Sequence, residues 1–145
     1  MKLRRKLRSF RRMNGADRLL VCEAIVLLGL SRIIVLTVPF RLMAPWLERA
    51  AQRDMPDADD AALLFSIRRA VMTAARNVPW NAVCLPQAMT AKAMLASRGH
   101  GSSFHLGAGF DGQGKLIAHA WLTVGDKVVV GAAGIAGVTP LARFG

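Results

Sequence analysis

The sequence is poor in cysteine and, over its first two thirds, in glycine. Cys22 and Cys84 are its only cysteines, which excludes a disulfide framework, and no C-x-x-C pair offers a zinc site. Only Gly15 and Gly29 precede residue 99, whereas eleven of the thirteen glycines lie from Gly99 onward. Because glycine favours turns and interrupts helices, this distribution predicts helices first and strands with turns afterwards.

Acidic residues are also scarce, and the excess of positive charge is uneven. The chain carries 20 Lys and Arg against 9 Asp and Glu, and residues 1–12 hold seven of the bases with no acid. A basic tail, rather than a basic groove, gives no reason to expect nucleic-acid binding. A hydrophobic content of 53% excludes a disordered chain. The length predicts one domain over residues 1–145, with a basic tail and apolar helices over 1–56 and a core over 57–145.

An apolar run from Leu19 to Phe40 is long enough to cross a bilayer. Glu23 and Arg32 interrupt it, however, and each would cost roughly 2.5–3.5 kcal/mol near the centre of an inserted helix. The run is not followed by a small-residue cleavage site. The pattern therefore favours a buried helix in a cytoplasmic protein of reduced cysteines. Peripheral membrane contact through residues 1–40 stays open as an alternative.

Residue periodicity predicts two helices and three strands in the core. The helices cover residues 57–77, capped by aspartates at positions 57, 59 and 60, and 84–98, with Pro86 in the first turn and Gly99 as the stop. The strands cover 104–110, 116–124 and 127–131, and the last two are joined by a hairpin loop at 125–126. The predicted fold class is α+β, in which N-terminal helices and the helix of Cys84 pack on a small antiparallel sheet.

Cys84 is the candidate nucleophile. It follows a polar turn and opens a helix, where unpaired amides and the helix dipole stabilise a thiolate. Cys22, in the middle of an apolar helix, is typical of a buried structural cysteine. A thiolate enzyme also needs an imidazole. His119 lies in the middle of a strand between alanines and is the best candidate, whereas His100 follows a glycine in a loop that we expect to be solvated.

Two segments, WNAVCLPQAMTAKAMLASRGHGSSFHLGAGF and LIAHAWLTVGDKVVV, together resemble the lasso-peptide leader peptidases, the B proteins, with their transglutaminase-like, papain-related cysteine protease domain. The resemblance implies a bacterial cysteine endopeptidase that cuts the leader from a ribosomal precursor peptide before macrocyclisation. It implies that Cys84 is the nucleophile, that His119 is the general base and acid, and that residues 57–145 form the protease core.

The resemblance also implies partners. They are the precursor peptide, a separate leader-recognition protein and an ATP-dependent cyclase similar to asparagine synthetase. This chain carries no G-x-x-x-x-G-K-[ST] loop, and we expect neither a cofactor nor a metal in it. Trp80, Gln87 and Trp121 are candidate substrate-binding residues, and the backbone amide of Cys84 is an expected oxyanion donor.

The third catalytic group is where the sequence departs from the family. The family carries a carboxylate on the strand after HAW. Counting outward from the hairpin loop places that position near Gly131 or Ala132, which have no functional side chain. Three arrangements remain open: a backbone carbonyl orients His119, a distant aspartate does so, or the pair works as a dyad. A non-catalytic domain that binds a leader peptide or a partner enzyme is the alternative function.

Overall fold

A computed structural model describes residues 2–49 and 60–144. Within this part of the chain, five α-helices precede a four-stranded antiparallel sheet, which confirms the predicted α+β class. A short 3-10 turn, Ala132–Gly134, interrupts the last third. The helices are α1 Lys2–Arg12, α2 Gly15–Thr37, α3 Phe40–Arg49, α4 Ala61–Ala75 and α5 Cys84–Ala96, and the strands are β1 Ser103–Phe110, β2 Leu116–Val124, β3 Lys127–Val130 and β4 Val138–Phe144.

Helix α5 occupies the middle of the fold, because it packs against α2 and α4 on one side and against β2 and β3 on the other. Eight of its thirteen residues are buried. It begins at Cys84, and Pro86 lies in the first turn, where its missing N–H costs no helical hydrogen bond. Gly99 ends the helical segment with a φ of +79°, and the N–H of His100 donates to the carbonyl of Leu95.

The strand order in the sheet is β3-β2-β1-β4. The predicted strands agree with β1, β2 and β3 to within one residue at each end. The sequence analysis missed β4, which pairs with β1. This strand contains Pro140 and has no fully buried residue, so it lacks the apolar alternation of a half-buried strand. Pro140 is tolerated because β4 lies at the edge of the sheet.

The start of α4 differs from the prediction. Asp57 and Asp59, two of the three expected capping residues, lie outside the described residues. Asp60 occupies the cap position but makes no side-chain hydrogen bond to a backbone amide. Its carboxylate instead lies 3.3 Å from Nδ1 of His100. The predicted capping role of Asp60 is therefore wrong, and His100 is half-buried rather than freely solvated.

The expectation of a buried apolar helix is only half right. Helix α2 buries one face, formed by Val21, Ala24, Leu28 and Ser31, and exposes the opposite one. Cys22 is exposed, so the prediction that it is a buried structural cysteine is wrong. By length and composition alone, Gly15–Thr37 could cross a membrane: its most apolar window has a mean hydropathy of 2.4, and 22% of that window is buried.

The two charges that interrupt the apolar run of α2, Glu23 and Arg32, both make contacts inside the domain. Glu23 accepts two hydrogen bonds from the guanidinium of Arg98, at 2.9 and 2.7 Å, which tie α2 to the residues just after α5. Arg32 donates to the carbonyl of Asn81, at 3.1 Å, in the loop before Cys84. These charges therefore fix α2 to both ends of α5.

A lysine is buried in α5. Lys92 is fully buried, and its Nζ donates to the carbonyl of Ser102 at 2.7 Å. Burial lowers the pKa of Lys92 to about 8. Below that pH the folded protein holds an ammonium group in its interior, which destabilises the fold. Between about pH 8 and the ordinary lysine pKa of about 10.4, the unfolded chain binds this proton and the folded chain does not, so stability rises with pH there.

We predict that Lys92→Met stabilises the protein at pH 7 by about 1–2 kcal/mol, since removal of the buried charge outweighs the lost hydrogen bond. Wild type should gain stability relative to the variant as the pH rises from about 8 to about 10. Urea unfolding at several pH values measures both effects, with the exposed Lys115→Met as control. Parallel stability profiles for wild type and Lys92→Met would contradict the assignment.

Candidate functional site

Cys84 is the first residue of α5 and is half-buried against the hydrophobic core. The preceding residue, Val83, occupies the cap position and makes no side-chain cap, and the first turn contains no acidic residue. The free amides of this turn and the positive end of the helix dipole therefore act on the Cys84 thiol without a competing cap.

His119 lies on β2 and is held by the backbone. Its Nε2 lies 2.6 Å from the carbonyl oxygen of Gly131, just after β3. Since a carbonyl can only accept, Nε2 carries the proton, and in the neutral ring Nδ1 is the basic nitrogen. The hydrogen bond thus fixes both the tautomer and the orientation of the imidazole, as a carboxylate does in other histidine sites.

The position opposite His119 therefore holds a carbonyl oxygen in place of a carboxylate. The sequence analysis counted the strand pairing without interruption, but the register of β2 and β3 shifts between Leu122 and Thr123. β3 also ends at Val130, and the chain then turns at Gly131 with a φ of +90°. A Cβ at Gly131 would lie 2.7 Å from the Ala120 carbonyl oxygen, so only glycine fits this turn. Of the three arrangements that the sequence left open, the structure shows the one in which a backbone carbonyl orients the imidazole of His119.

Trp121 packs between two imidazoles. Its ring is stacked 5.2 Å from that of His105 and 6.0 Å from that of His119. With an exposure of 5%, it supports His119 and offers substrate little open surface.

His105 is the other histidine beside Trp121. Burial, followed by the charges of Arg143 and Lys92, lowers the pKa of His105, whose Nε2 lies 2.9 Å from the Thr123 hydroxyl. His105 is thereby kept neutral and is unsuited to an ion pair.

Cys84 and His119 come from adjacent layers of the fold. Nζ of Lys92 in α5 donates to the carbonyl of Ser102. The next residue, Ser103, begins β1 and pairs with Thr123 of β2. Cys84 precedes Lys92 by about 12 Å of helix, and His119 precedes Thr123 by about 13 Å of strand, so both lie toward the same end of their elements. The β2 side chains in the core with α5 are Ala120, Leu122 and Val124, and His119 alternates onto the other face of the strand. Within the described residues, the thiol of Cys84 makes no hydrogen bond to His119. Catalytic hydrogen bonds are often long in unliganded enzymes.

The other two predicted binding residues flank the helix start. Gln87 is half-buried, and its Nε2 donates to the carbonyl of Ala82 at 2.6 Å, so its amide helps to shape the turn before Cys84. Trp80 packs its six-membered ring near Gly29 of α2. Its indole Nε1 is buried and has no hydrogen-bond partner among the described residues.

The described residues contain no group of three or more His, Cys, Asp or Glu side chains able to hold a metal ion. Gly107, Gly109 and Gly112 have the G-x-G-x-x-G spacing of dinucleotide-binding loops. That motif requires a strand followed by a helix, whereas these glycines run from β1 into its hairpin turn to β2. The spacing therefore indicates no nucleotide site.

The comparisons with known proteins agree with this geometry at the level of the family. Residues 31–143 match the family described as the transglutaminase-like superfamily. The match includes the C-terminal end of α2, from Ser31 onward, and every later helix and strand of the described structure, with both Cys84 and His119. The comparisons with curated proteins and with solved structures found no match.

We predict that Gly134→Ala displaces the imidazole of His119, because a Cβ at Gly134 would overlap that ring. The backbone of Gly134 has no positive φ, so alanine adds no backbone strain there. Nitrogen NMR of the histidine side chains should show the Nε2–H form of His119 in wild type and its loss in the variant. Gly112→Ala, where a Cβ meets open space, is the matched control. An unchanged His119 signal in Gly134→Ala would contradict this close contact.

Proposed function

Because the chain belongs to the transglutaminase-like superfamily, we propose that it is a cysteine peptidase with Cys84 as the nucleophile and His119 as the general base and acid. Domains of this superfamily commonly have cysteine protease activity. The observation that carries the assignment is the hydrogen bond from Nε2 of His119 to Gly131. It leaves Nδ1 as the basic nitrogen, on a strand packed against the helix that begins with Cys84.

Hydrolysis would proceed in two stages. Nδ1 of His119 takes the thiol proton of Cys84, and the thiolate attacks the carbonyl carbon of the peptide bond. The amide of Cys84 donates to the resulting oxyanion. The bond between carbon and nitrogen breaks as His119 returns the proton to the leaving amine, which leaves a thioester on Cys84. Water, deprotonated by His119, then hydrolyses the thioester and restores the thiol.

The substrate we propose is a ribosomally made lasso precursor peptide, cut between leader and core. The resemblance of the Cys84 and His119 segments to the leader peptidases supports this choice. A separate leader-recognition protein would present the precursor, and an ATP-dependent cyclase similar to asparagine synthetase would then close the freed core peptide. Trp80 and Gln87 remain candidate substrate-binding residues, because both flank the start of the Cys84 helix.

A second candidate function is binding without cleavage. The absence of a hydrogen bond between Cys84 and His119, and the carbonyl in place of the family's carboxylate, favour this alternative. A binding domain would hold a leader peptide or a partner enzyme equally well after Cys84→Ala. Peptide binding, measured by fluorescence anisotropy on the same samples as cleavage, separates the two functions.

We predict that Cys84→Ala abolishes cleavage of a lasso precursor peptide by the full chain in the presence of a leader-recognition protein. His119→Ala should lower the rate by at least about 100-fold, the usual contribution of a general base. Mass spectrometry of the products measures both effects. Cys22→Ala and His105→Gln are matched controls, since the first changes an exposed helical thiol and the second a histidine kept neutral.

Retained cleavage in Cys84→Ala would exclude the peptidase mechanism. Peptide binding by wild type without any product would instead support the binding function.

A further inference from the structure

The exposed face of α2 is apolar along its whole length. Its residues recur every three or four positions and therefore share one side of the helix, opposite the buried face. We call this surface the apolar face. Its members are Leu19, Cys22, Val26, Leu30, Ile33 and Thr37. Leu19 is 73% exposed and Val26 62%. None of these six side chains is charged, which is unusual for a helix surface turned to solvent. The nearest charge is Glu23, which lines a cavity with Leu19 and Val26 and has its carboxylate bound by Arg98.

The apolar face extends onto α3. A cavity of about 380 Å³ lies between the two helices and is lined in part by Leu30, Leu42 and Trp46. A second shallow cavity, lined in part by Leu19 and Val26, shares lining residues with the first. The exposed side chains are therefore contiguous from the start of α2 to α3. A continuous apolar surface of this kind marks an interaction site rather than scattered exposed residues.

The charge beside this surface identifies the kind of partner. Residues 1–49 carry eleven bases and three acids. The basic side chains described on α1 are all exposed. Helix α1 lies along the flank of α2 between its buried face and its apolar face, where Lys6 and Phe10 line a cavity with the buried Val21 and the exposed Ile25. Arg18 and Arg41 are exposed at the two ends of the apolar face. An apolar helix face bordered by arginines, with a tryptophan at its edge, matches an interfacial helix on anionic lipid.

We propose that the apolar face of α2, together with α1, docks the protein on the surface of an anionic lipid bilayer. Docking is peripheral, because the other face of α2 packs against α4 and α5 and cannot leave them without opening the core. The apolar side chains enter the boundary between headgroups and acyl chains, while the arginines of α1 lie at the phosphates. This inference does not depend on the peptidase function.

Cys22 provides a direct probe, since it is an exposed thiol on the apolar face. We would attach an environment-sensitive fluorophore to Cys22 in Cys84→Ser protein and add vesicles of phosphatidylcholine with or without phosphatidylglycerol. We expect a blue shift only with phosphatidylglycerol. The control label is placed at Leu141→Cys in a protein lacking both native thiols, because Leu141 is also exposed, by 71%, and lies on β4. It should show no shift.

Two sets of variants separate lipid docking from its alternatives. Arg4→Gln, Arg8→Gln and Arg11→Gln should each weaken flotation with anionic vesicles about fivefold, the usual contribution of one basic residue. These exposed changes leave the core intact. Val26→Glu should abolish flotation, whereas Phe65→Glu, on the exposed side of α4, should not.

Equal binding to neutral vesicles, or no binding to either kind, would overturn the proposal. A second result would also overturn it: light scattering that shows a dimer for wild type and a monomer for Val26→Glu. The apolar face would then join two copies of this chain.

Discussion

Burial of α5 constrains the arrangement of the other elements. This helix contacts two helices on one side and two strands on the other, so neither layer can form its core without it. Its position is fixed further by the donors and acceptors at its ends, since Arg32 bonds to the loop before Cys84 and Glu23 pairs with Arg98 just after the helix. The start of α5, and with it the thiol of Cys84, is therefore one of the most constrained points of the fold. A reactive group gains most from a rigid position of this kind.

The second constraint is the turn after β3. Glycine at position 131 allows a left-handed backbone that directs its carbonyl at His119, and glycine at position 134 leaves room for the imidazole ring. A carbonyl oxygen selects the same tautomer as a carboxylate, but it supplies only a partial negative charge to stabilise an imidazolium. The arrangement is thus compatible with a general base and gives less electrostatic support to an ion pair than the family's carboxylate would.

The sequence predicted the elements whose patterns depend on local chemistry. The helix of Cys84 was predicted from Pro86 and Gly99, and the hairpin of β2 and β3 from its two-residue loop. It could not predict β4, since an edge strand without a fully buried residue has no apolar alternation. Nor could hydropathy show that one face of α2 lacks a partner, because apolar content does not tell what a helix packs against. The sequence could not identify the carbonyl of Gly131 as the hydrogen-bond acceptor for His119, because every residue has a backbone carbonyl and side-chain patterns do not show which one accepts.

The most direct test of the account compares the two thiols of the same protein. Iodoacetamide at slightly acidic pH reacts with thiolate, and an ordinary thiol is then almost fully protonated. We predict that Cys84 is alkylated at least about ten times faster than Cys22, although Cys22 is the more exposed, and that His119→Ala removes the difference. Mass spectrometry of each cysteine measures both rates. Equal rates in wild type, or a fast Cys84 that does not depend on His119, would contradict a thiolate paired with this imidazole.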